Sequence, residues 1–294
     1  MNAGSRELYS QRFRKVLEYI DAHLDEALSL DVLSALAAFS KYHFQRQFSE
    51  LFGLGVHQYV QLVRLRRASR QLAFRDELRV LDIALDNGYE SAEAFARAFK
   101  KAVGQTPSEF RERPAWVPWH ATYQPLAELR SRHMTRNYRI EDVEIVNFES
   151  TRVAVLEHRG DPKLLLDSVR KFKDWRRQNR LPPQTSATFN VLYDDPVNTP
   201  PEQFRCDLCA GISRSITPND QGISERALPG GRCARLRYIG SDDGLAQAIT
   251  FLYADWLPQS AEELRDFPLF LQRVRFAPEV PEHESEIDLY LPLV

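Results

Sequence analysis

The sequence predicts two domains of different fold class: an all-α domain of two helix-turn-helix units, then an α+β domain of two strand-helix-strand-strand halves. Two observations support this division. A helix-turn-helix pattern occurs twice near the start of the 294-residue chain, and the later part alternates between strand and helix patterns with a repeat of its own. The predicted boundaries are 1–113 for the first domain, 114–136 for a linker and 137–294 for the second domain.

The pattern in the first domain repeats at a constant offset of 51 residues. The shared residues are Phe44, Arg46, Phe48 and Gly53 in the first copy, and Phe95, Arg97, Phe99 and Gly104 in the second. Ser40 and Ser91 can cap the second helix of each copy, and the glycines can end it. Phenylalanines four residues apart predict one buried helix face, which leaves the intervening arginine on the solvent side.

Long polar side chains on that solvent side can read DNA bases. The candidates are Lys41, Tyr42, Gln45 and Arg46 in the first copy, and Glu93 and Arg97 in the second. Arginine can bond both acceptors of a guanine edge, glutamine can bond an adenine edge, and a carboxylate can accept from cytosine. Two such helices can occupy two major-groove segments, so the pattern predicts a regulator that binds double-stranded DNA at a promoter or operator.

A cluster of arginines follows between the two copies, starting in a long predicted helix over 56–73. Its members are Arg64, Arg66, Arg67, Arg70, Arg75 and Arg79. This stretch can neutralise DNA phosphates and release their counterions. The alternative is an ordinary solvated helix face, and the net charge of −2 for the whole chain does not decide between them.

The predicted linker is rich in proline and aromatic residues, which interrupt any long helical periodicity. Beyond it, Ala154–Gly160 matches Ala234–Gly240 at an offset of 80, and the helices ending at Trp175 and Trp256 match at 81. Two such halves predict an antiparallel sheet, with a groove along the pseudo-twofold axis as the ligand site.

Residues 7–113 resemble the DNA-binding domain of bacterial AraC/XylS-type transcription regulators. The resemblance is carried by Ser40-x-x-His-Phe-x-Arg-x-Phe48, by Tyr59 with Arg64-Leu-Arg66, by Ile83-Ala84 with Gly88-Tyr89 and Phe95-x-Arg97-x-Phe99, and by Gly104-x-x-Pro107. It implies two helix-turn-helix units on a long connecting helix, docked into successive major grooves about 34 Å apart. The matching positions imply base contacts from Tyr42, Gln45, Arg46, Glu93 and Arg97.

The C-terminal half is similar to the GyrI-like effector-binding domain. The similarity is carried by Val153–Gly160, Gly230–Gly240, Pro268-Leu-Phe270 and Glu286–Leu293. It implies a small-molecule effector held in an aromatic groove, commonly with a glutamate after the Pro-x-Phe element, where this chain has Leu271. The candidate ligand-binding residues are Glu157, Tyr238, Trp256, Phe270 and Tyr290.

We therefore expect a transcription regulator controlled by a small molecule, which is not an enzyme and uses no cofactor or metal. No apolar run reaches the roughly 18–20 residues of a membrane span, and there are only three cysteines, so we expect a cytoplasmic protein without a membrane partner. RNA polymerase is a further expected partner. Two alternatives are a C-terminal domain that mediates protein contacts, and a small-molecule hydrolase using Glu157 and Tyr238.

Overall fold

The computed structural model describes residues 3–134, 136–276 and 280–294, with side chains from residue 9 onward. The chain divides into two compact units, residues 1–135 and 136–294. Each unit contains its own buried apolar side chains.

The first unit is helical. Its described helices are α1 (Ala3–Ala22), α2 (Leu30–Leu36), α3 (Lys41–Phe52), α4 (Val56–Phe74), α5 (Val80–Asp86), α6 (Ala92–Val103), α7 (Pro107–Glu112) and α8 (Trp116–His133). Helices α2 and α3 form the first helix-turn-helix unit, α5 and α6 form the second, and α4 connects them. The predicted all-α fold of this part is confirmed.

Helices α3 and α6 begin and end as the sequence predicts. The hydroxyl oxygens of Ser40 and Ser91 each accept a hydrogen bond from the backbone N–H three residues later, at 3.4 and 3.1 Å. Gly53 and Gly104 end the helices with φ of 68° and 83°, in the left-handed region that glycine adopts without a Cβ penalty. Local chemistry therefore fixes the length of both helices.

The repeated phenylalanines form the cores of the two helix-turn-helix units. Phe44 and Phe48 are fully buried and pack their rings 6.1 and 6.3 Å from that of Phe13 in α1. Phe95 and Phe99 are also fully buried, with ring centroids 5.5 Å apart. Burying each such ring stabilises the unit by about 1.5–3 kcal/mol, so these residues hold the opposite helix faces toward solvent.

The segment predicted as a linker, 114–136, consists mainly of helix α8, so the expectation of an irregular connector is corrected. Every third or fourth residue of this helix is buried in the first unit: Trp116, Trp119, Tyr123, Leu126 and Arg130. The prolines of this segment favour a break in the helical pattern. Pro118 lies in the first helical turn, where no intrahelical N–H bond is lost, and the helix continues through Pro125 because its aromatic face is packed.

The second unit contains one antiparallel sheet with helices. Its described strands are β1 (Val143–Phe148), β2 (Thr151–Arg159), β3 (Thr188–Leu192), β4 (Arg205–Gly211), β5 (Ile223–Leu228), β6 (Gly231–Ile239), β7 (Phe270–Arg275) and β8 (Glu286–Pro292). Helix α9 (Leu165–Gln178) follows β2; α10 (Leu245–Thr250), a π-helix (Phe251–Trp256) and α11 (Leu257–Ser260) follow β6. The predicted α+β fold is confirmed.

Each half of this unit has one strand more than the sequence pattern indicates. The sheet order is β1-β6-β8-β7-β3-β4-β2-β5. Strand β1 therefore pairs with β6 of the other half, and β5 pairs with β2. This exchange of outer strands, together with the pairing of β3 with β7, joins both halves into one sheet.

Side chains alternate between two faces along each strand. On one face, the helix face, α9 packs against β2 and β4, and α10 with the π-helix packs against β6, β7 and β8. The opposite face, which we call the strand face, carries a third apolar cluster that runs across both halves. Its strand residues include Val153, Val155, Phe189, Val191, Cys209, Phe270 and Tyr290.

Candidate nucleic-acid interface and ligand face

The solvent side of α3 carries the polar residues predicted to read DNA. Lys41, Tyr42, Gln45 and Arg46 are all exposed, and Tyr42 retains 86% of its accessible surface. Arg46 pairs with Glu50 one turn later at 3.0 Å, and 80% of its side chain remains exposed. Exposed ion pairs of this kind contribute at most about 1 kcal/mol to stability. Arg46 can therefore leave the Glu50 carboxylate and bind a DNA group at little cost.

Lys41 has a different neighbour. Its ammonium lies 2.5 Å from a carboxylate oxygen of Asp31 in α2. The pair joins the first turn of α3 to the first turn of α2, which makes Lys41 part of the geometry of the helix-turn-helix unit as well as a donor at its surface.

Helix α6 presents fewer donors than α3. Glu93 and Arg97 are exposed one turn apart on its solvent side. Hydrogen bonds from the backbone N–H of Glu93 itself and from the Ser91 hydroxyl lower the pKa of the Glu93 carboxylate. Glu93 is thus ionised at neutral pH and engaged at the helix N-terminus, which leaves Arg97 as the long donor of this helix.

The arginine cluster around α4 does not form one solvent-facing surface, and that prediction is wrong for two of its members. Arg66 is buried with 8% of its surface exposed. Arg64 is partly buried, and its guanidinium donates hydrogen bonds to backbone carbonyls. Arg75 and Arg79 pair with nearby carboxylates of Glu77 and Asp82. Sequence alone missed this because carbonyl partners of an arginine leave no pattern in the residue types.

The five residues predicted for the ligand site do not lie together. Tyr238 and Trp256 are buried on the helix face, in the cluster that joins the π-helix to the sheet. The Tyr238 hydroxyl donates to the carbonyl of Ser241 at 2.5 Å. Glu157, Phe270 and Tyr290 lie on the strand face, as the strand register requires.

The centre of the strand face is an aromatic cluster. Phe270 and Tyr290 stack with ring centroids 5.0 Å apart and an angle of 12°. Phe148, at the end of β1, meets both rings edge-on at 4.9 and 5.2 Å, and meets Phe189 of β3 at 6.0 Å. Sequence reasoning missed Phe148 and Phe189, although the alternation along β1 and the match of Phe189 with Phe270 at an offset of 81 could have found them.

Charged side chains border this cluster on the side of the first half. The Arg226 guanidinium contacts the carboxylates of Glu157 and Asp207, the latter at 3.1 Å. Asp207 also accepts a hydrogen bond from the Tyr193 hydroxyl at 2.9 Å. Hydrogen bonds from Arg159 and Arg226 lower the pKa of Glu157, whereas burial raises the pKa of Asp207.

The second half has a corresponding pair. Arg237 holds Asp288 through two hydrogen bonds of 2.7 and 2.8 Å. The position at which the family commonly has a glutamate is Leu271, which is buried on the helix face. Its neighbour Gln272 lies on the strand face, paired in register with Asp288. Carboxylates on this face thus carry arginine partners.

The positions of Glu157 and Tyr238 bear on the hydrolase alternative. Glu157 and Tyr238 lie on opposite faces of the sheet, so they cannot act on one substrate as an acid and a tyrosine facing each other. The three cysteines, Cys206, Cys209 and Cys233, are all buried. Among the described residues, no helix has the length and apolarity needed to cross a membrane.

The exposed helices α3 and α6 and the separate α+β unit define a two-domain helix-turn-helix protein. Residues 33–113 match the family described as "Helix-turn-helix domain", and residues 141–294 match the family described as "GyrI-like small molecule binding domain". The second match covers more than half of the chain, which therefore belongs to the GyrI-like family. Its N-terminal part is an AraC-type helix-turn-helix domain.

Similar proteins include the "Probable transcriptional regulator YgiV" of Escherichia coli K12, 41% identical over 52% of this chain and 96% of that protein. An uncharacterized HTH-type transcriptional regulator of Staphylococcus aureus (strain COL) is 33% identical over 51% of this chain, but the match spans only 21% of that protein. An AraC-type regulator structure from Chromobacterium violaceum aligns with 39% of this chain and 97% of its own, at 25% identity and a TM-score of 0.34.

Proposed function

We propose that this chain is a sequence-specific DNA-binding transcription regulator whose second unit binds a small molecule that controls it. The observation that carries the proposal is the repetition of one arrangement in two helices. In α3 and α6 alike, a serine caps the helix, two phenylalanines are fully buried, and one arginine at the same register is exposed. An exposed arginine without a shared role is not expected to recur at the same register of both helices.

In the first helix-turn-helix unit, we assign base contacts to Tyr42, Gln45 and Arg46, with Lys41 at a phosphate. In the second, Arg97 is the main donor to a base, and Glu93 contributes an acceptor. Because α3 offers more donors than α6, the first half-site should be the more strictly specified of the two. The phosphate contacts add affinity that falls with salt concentration and carries no sequence information.

For the effector, we assign the strand face rather than the full set of five predicted residues. Phe270 and Tyr290 supply apolar contact area once an effector displaces Phe148, which packs against both rings. Glu157 contributes to the polar border, and Tyr238 with Trp256 support the sheet from the helix face. An aromatic effector would replace or stack against Phe148 at the centre of this face. Since the strand-face carboxylates Glu157, Asp207 and Asp288 are paired with arginine, we expect a neutral or zwitterionic ligand in preference to a simple cation.

One alternative for the second unit keeps a specific observation in its favour. Phe270 and Tyr290 expose 0% and 6% of their surfaces, so the centre of the strand face is already filled. A filled face suits a domain that contacts another protein, such as RNA polymerase. A ligand screen that follows the unfolding temperature separates the two roles, because a ligand that binds only the folded state raises that temperature.

We further propose that the protein acts in the cytoplasm and has no enzymatic activity. The DNA-binding domain is proposed to extend through α8, to about residue 134, because that helix is packed into the first unit. The ligand must bind the DNA-competent and DNA-incompetent states unequally if it is to change promoter activity.

The test is selection of bound duplexes from a random pool by the full-length protein at fixed salt. Wild type should enrich a motif with two half-sites about one helical turn apart, and Arg46→Ala/Arg97→Ala should not. Arg132→Ala is the matched control, because Arg132 is also an exposed arginine paired with a glutamate one turn away. Enrichment of the same motif by the double variant, or of none by wild type with and without candidate effectors, would refute the proposal.

A further inference from the structure

Arg64 lies in the middle of the connecting helix α4, and its guanidinium donates hydrogen bonds to the backbone of another segment. The Nε group donates to the carbonyl of Leu24 at 2.9 Å, and Nη2 donates to the carbonyl of Glu26 at 2.6 Å. Both acceptors lie in the loop between α1 and α2, which leads into the first helix-turn-helix unit. Arg64 therefore fixes the entrance of that unit to α4.

The same guanidinium touches the second helix-turn-helix unit. Its Nη1 atom lies 3.5 Å from the carbonyl of Gly88, in the turn between α5 and α6. Gly88 has φ of +70°, and a Cβ atom built there would lie 2.5 Å from Arg64 Nη2 and 2.8 Å from the carbonyl oxygen of Leu24. The turn can approach the guanidinium and the α1–α2 loop this closely only because residue 88 is glycine.

A second contact holds that turn against α4. Asn87, which is fully buried, donates through Nδ2 to the side-chain oxygen of Gln71 at 2.5 Å and to the carbonyl of Ile83 at 2.7 Å. The α5–α6 turn is thus anchored on α4 at Gln71 and meets Arg64 two helical turns earlier. Three segments of the first unit therefore meet at Arg64: helix α4, the α1–α2 loop and the α5–α6 turn.

From this geometry we infer that Arg64 is a positioning residue: it sets the relative orientation of the two helix-turn-helix units and thereby selects the spacing of the two DNA half-sites. The inference rests on the proposed DNA-binding function and adds a determinant of specificity that contacts no base. Arginine suits this role because its planar fork can satisfy two carbonyls at once, which a lysine ammonium does less well.

The expected effect follows from the linkage of two binding units. When both units are held in the geometry of the site, the second binds at a high effective concentration, and the joint affinity can exceed that of one unit by about 10²–10⁴-fold. Loosening the units lowers this gain at the correct spacing. It leaves the affinity of each isolated half-site unchanged, because α3 and α6 keep their own caps and cores.

The DNA arm of the test uses duplexes in which the two selected half-sites are separated by a varied number of base pairs around one turn. Wild type should show one sharp optimum of affinity. Arg64→Met should lose roughly tenfold or more at that optimum and show a flatter dependence on spacing, with half-site affinity within about twofold of wild type. Arg132→Met, which removes an exposed arginine from α8, should show the wild-type dependence of affinity on spacing.

A second readout needs no DNA and separates this inference from the proposed function. Spin labels at Ser49→Cys and Lys101→Cys report the distance between exposed positions on α3 and α6, while the three native cysteines are buried. Double electron–electron resonance should give one narrow distance distribution with Arg64 and a broad one with Arg64→Met. Arg64→Lys, which retains the charge, is the second variant and should give an intermediate width.

The outcomes are distinguishable. If wild type selects no DNA, the proposed function fails, and the spin-label distances still test the role of Arg64. If Arg64→Met and Arg64→Lys both keep the narrow distribution, or keep the sharp spacing optimum, the positioning role is overturned.

Discussion

The ion pair between Arg130 and Asp21 gives a quantitative test of how α8 belongs to the first unit. Arg130 Nη1 and Nη2 donate to the two carboxylate oxygens of Asp21 in α1 at 3.0 and 2.6 Å, and Nη1 also donates to the Tyr59 hydroxyl in α4 at 2.7 Å. The two charged side chains are only 5% and 6% exposed. Replacing Arg130 by methionine leaves a buried carboxylate without its partner, which costs about 3–5 kcal/mol in the free energy of unfolding.

The assay is urea denaturation of the full chain, followed by far-ultraviolet circular dichroism. Arg130→Met should lower the midpoint of the helical transition, and Asp21→Leu/Arg130→Met should recover most of the loss because neither charge is then buried alone. Arg132→Met, which removes an exposed pair with Glu128 on the same helix, should cost less than about 1 kcal/mol. A cost of that small size for Arg130→Met would refute the account of α8 as part of the first unit's core.

Three further predictions concern the contact between Arg64 and Gly88 and the strand face. Gly88→Ala should reproduce the flattened spacing dependence of Arg64→Met in duplex binding, because its Cβ displaces the guanidinium; wild-type behaviour would contradict the close approach. Glu157→Gln should lower the unfolding temperature at neutral pH. Pairing with arginine lowers the pKa of Glu157 in the folded state below its ordinary value of 4.5. The stability that the ionised carboxylate contributes is therefore present above pH 4.5 and is lost as the pH falls through the folded-state pKa. A deficit that persists undiminished in acid would contradict this. Phe148→Ala should destabilise the second unit by about 2 kcal/mol in denaturant titration and increase binding of a hydrophobic dye by uncovering Phe270, and no change in either would show that Phe148 does not cover the face.

The features that sequence predicted correctly depend on local chemistry. Ser40 and Ser91 cap helices whose phenylalanines must be buried together, and the duplicated register makes both helices recognisable without knowledge of the rest of the fold. The arginine at each register position is exposed for the same reason. Their exposure agrees with the sequence pattern, and their contacts with DNA remain predictions.

The features that sequence missed depend on what packs against a segment. The sequence pattern does not predict helix α8, because Pro118 and Pro125 disfavour a helix there. The tertiary contacts that stabilise the helix in spite of these prolines cannot be read from composition. Arg64 was assigned to solvent because its carbonyl acceptors are common to every residue type. Both errors arise from partners that are distant in sequence.

The structure brings together only part of the five candidate ligand residues, for a reason that strand alternation explains. The repeat at an offset of 80 aligns Glu157 with Arg237, not with Tyr238, so Glu157 and Tyr238 fall on opposite faces. Counting parity along the repeat would have separated Tyr238 from Glu157, whereas Trp256 lies in the π-helix, to which strand alternation does not apply. The partner of β1 could not have been predicted, because the exchange of outer strands is set by the whole sheet.

The central claim is that α3 and α6 each recognise one half-site. The most direct test compares the affinity of single variants for the selected duplex and for duplexes mismatched in one half-site. Arg46→Ala should lose about 1–3 kcal/mol of discrimination at one base of the first half-site and retain it in the second, and Arg97→Ala should do the reverse. Equal losses on all duplexes, including random ones, would reduce both arginines to phosphate contacts and contradict the account of two helices that each read their own half-site.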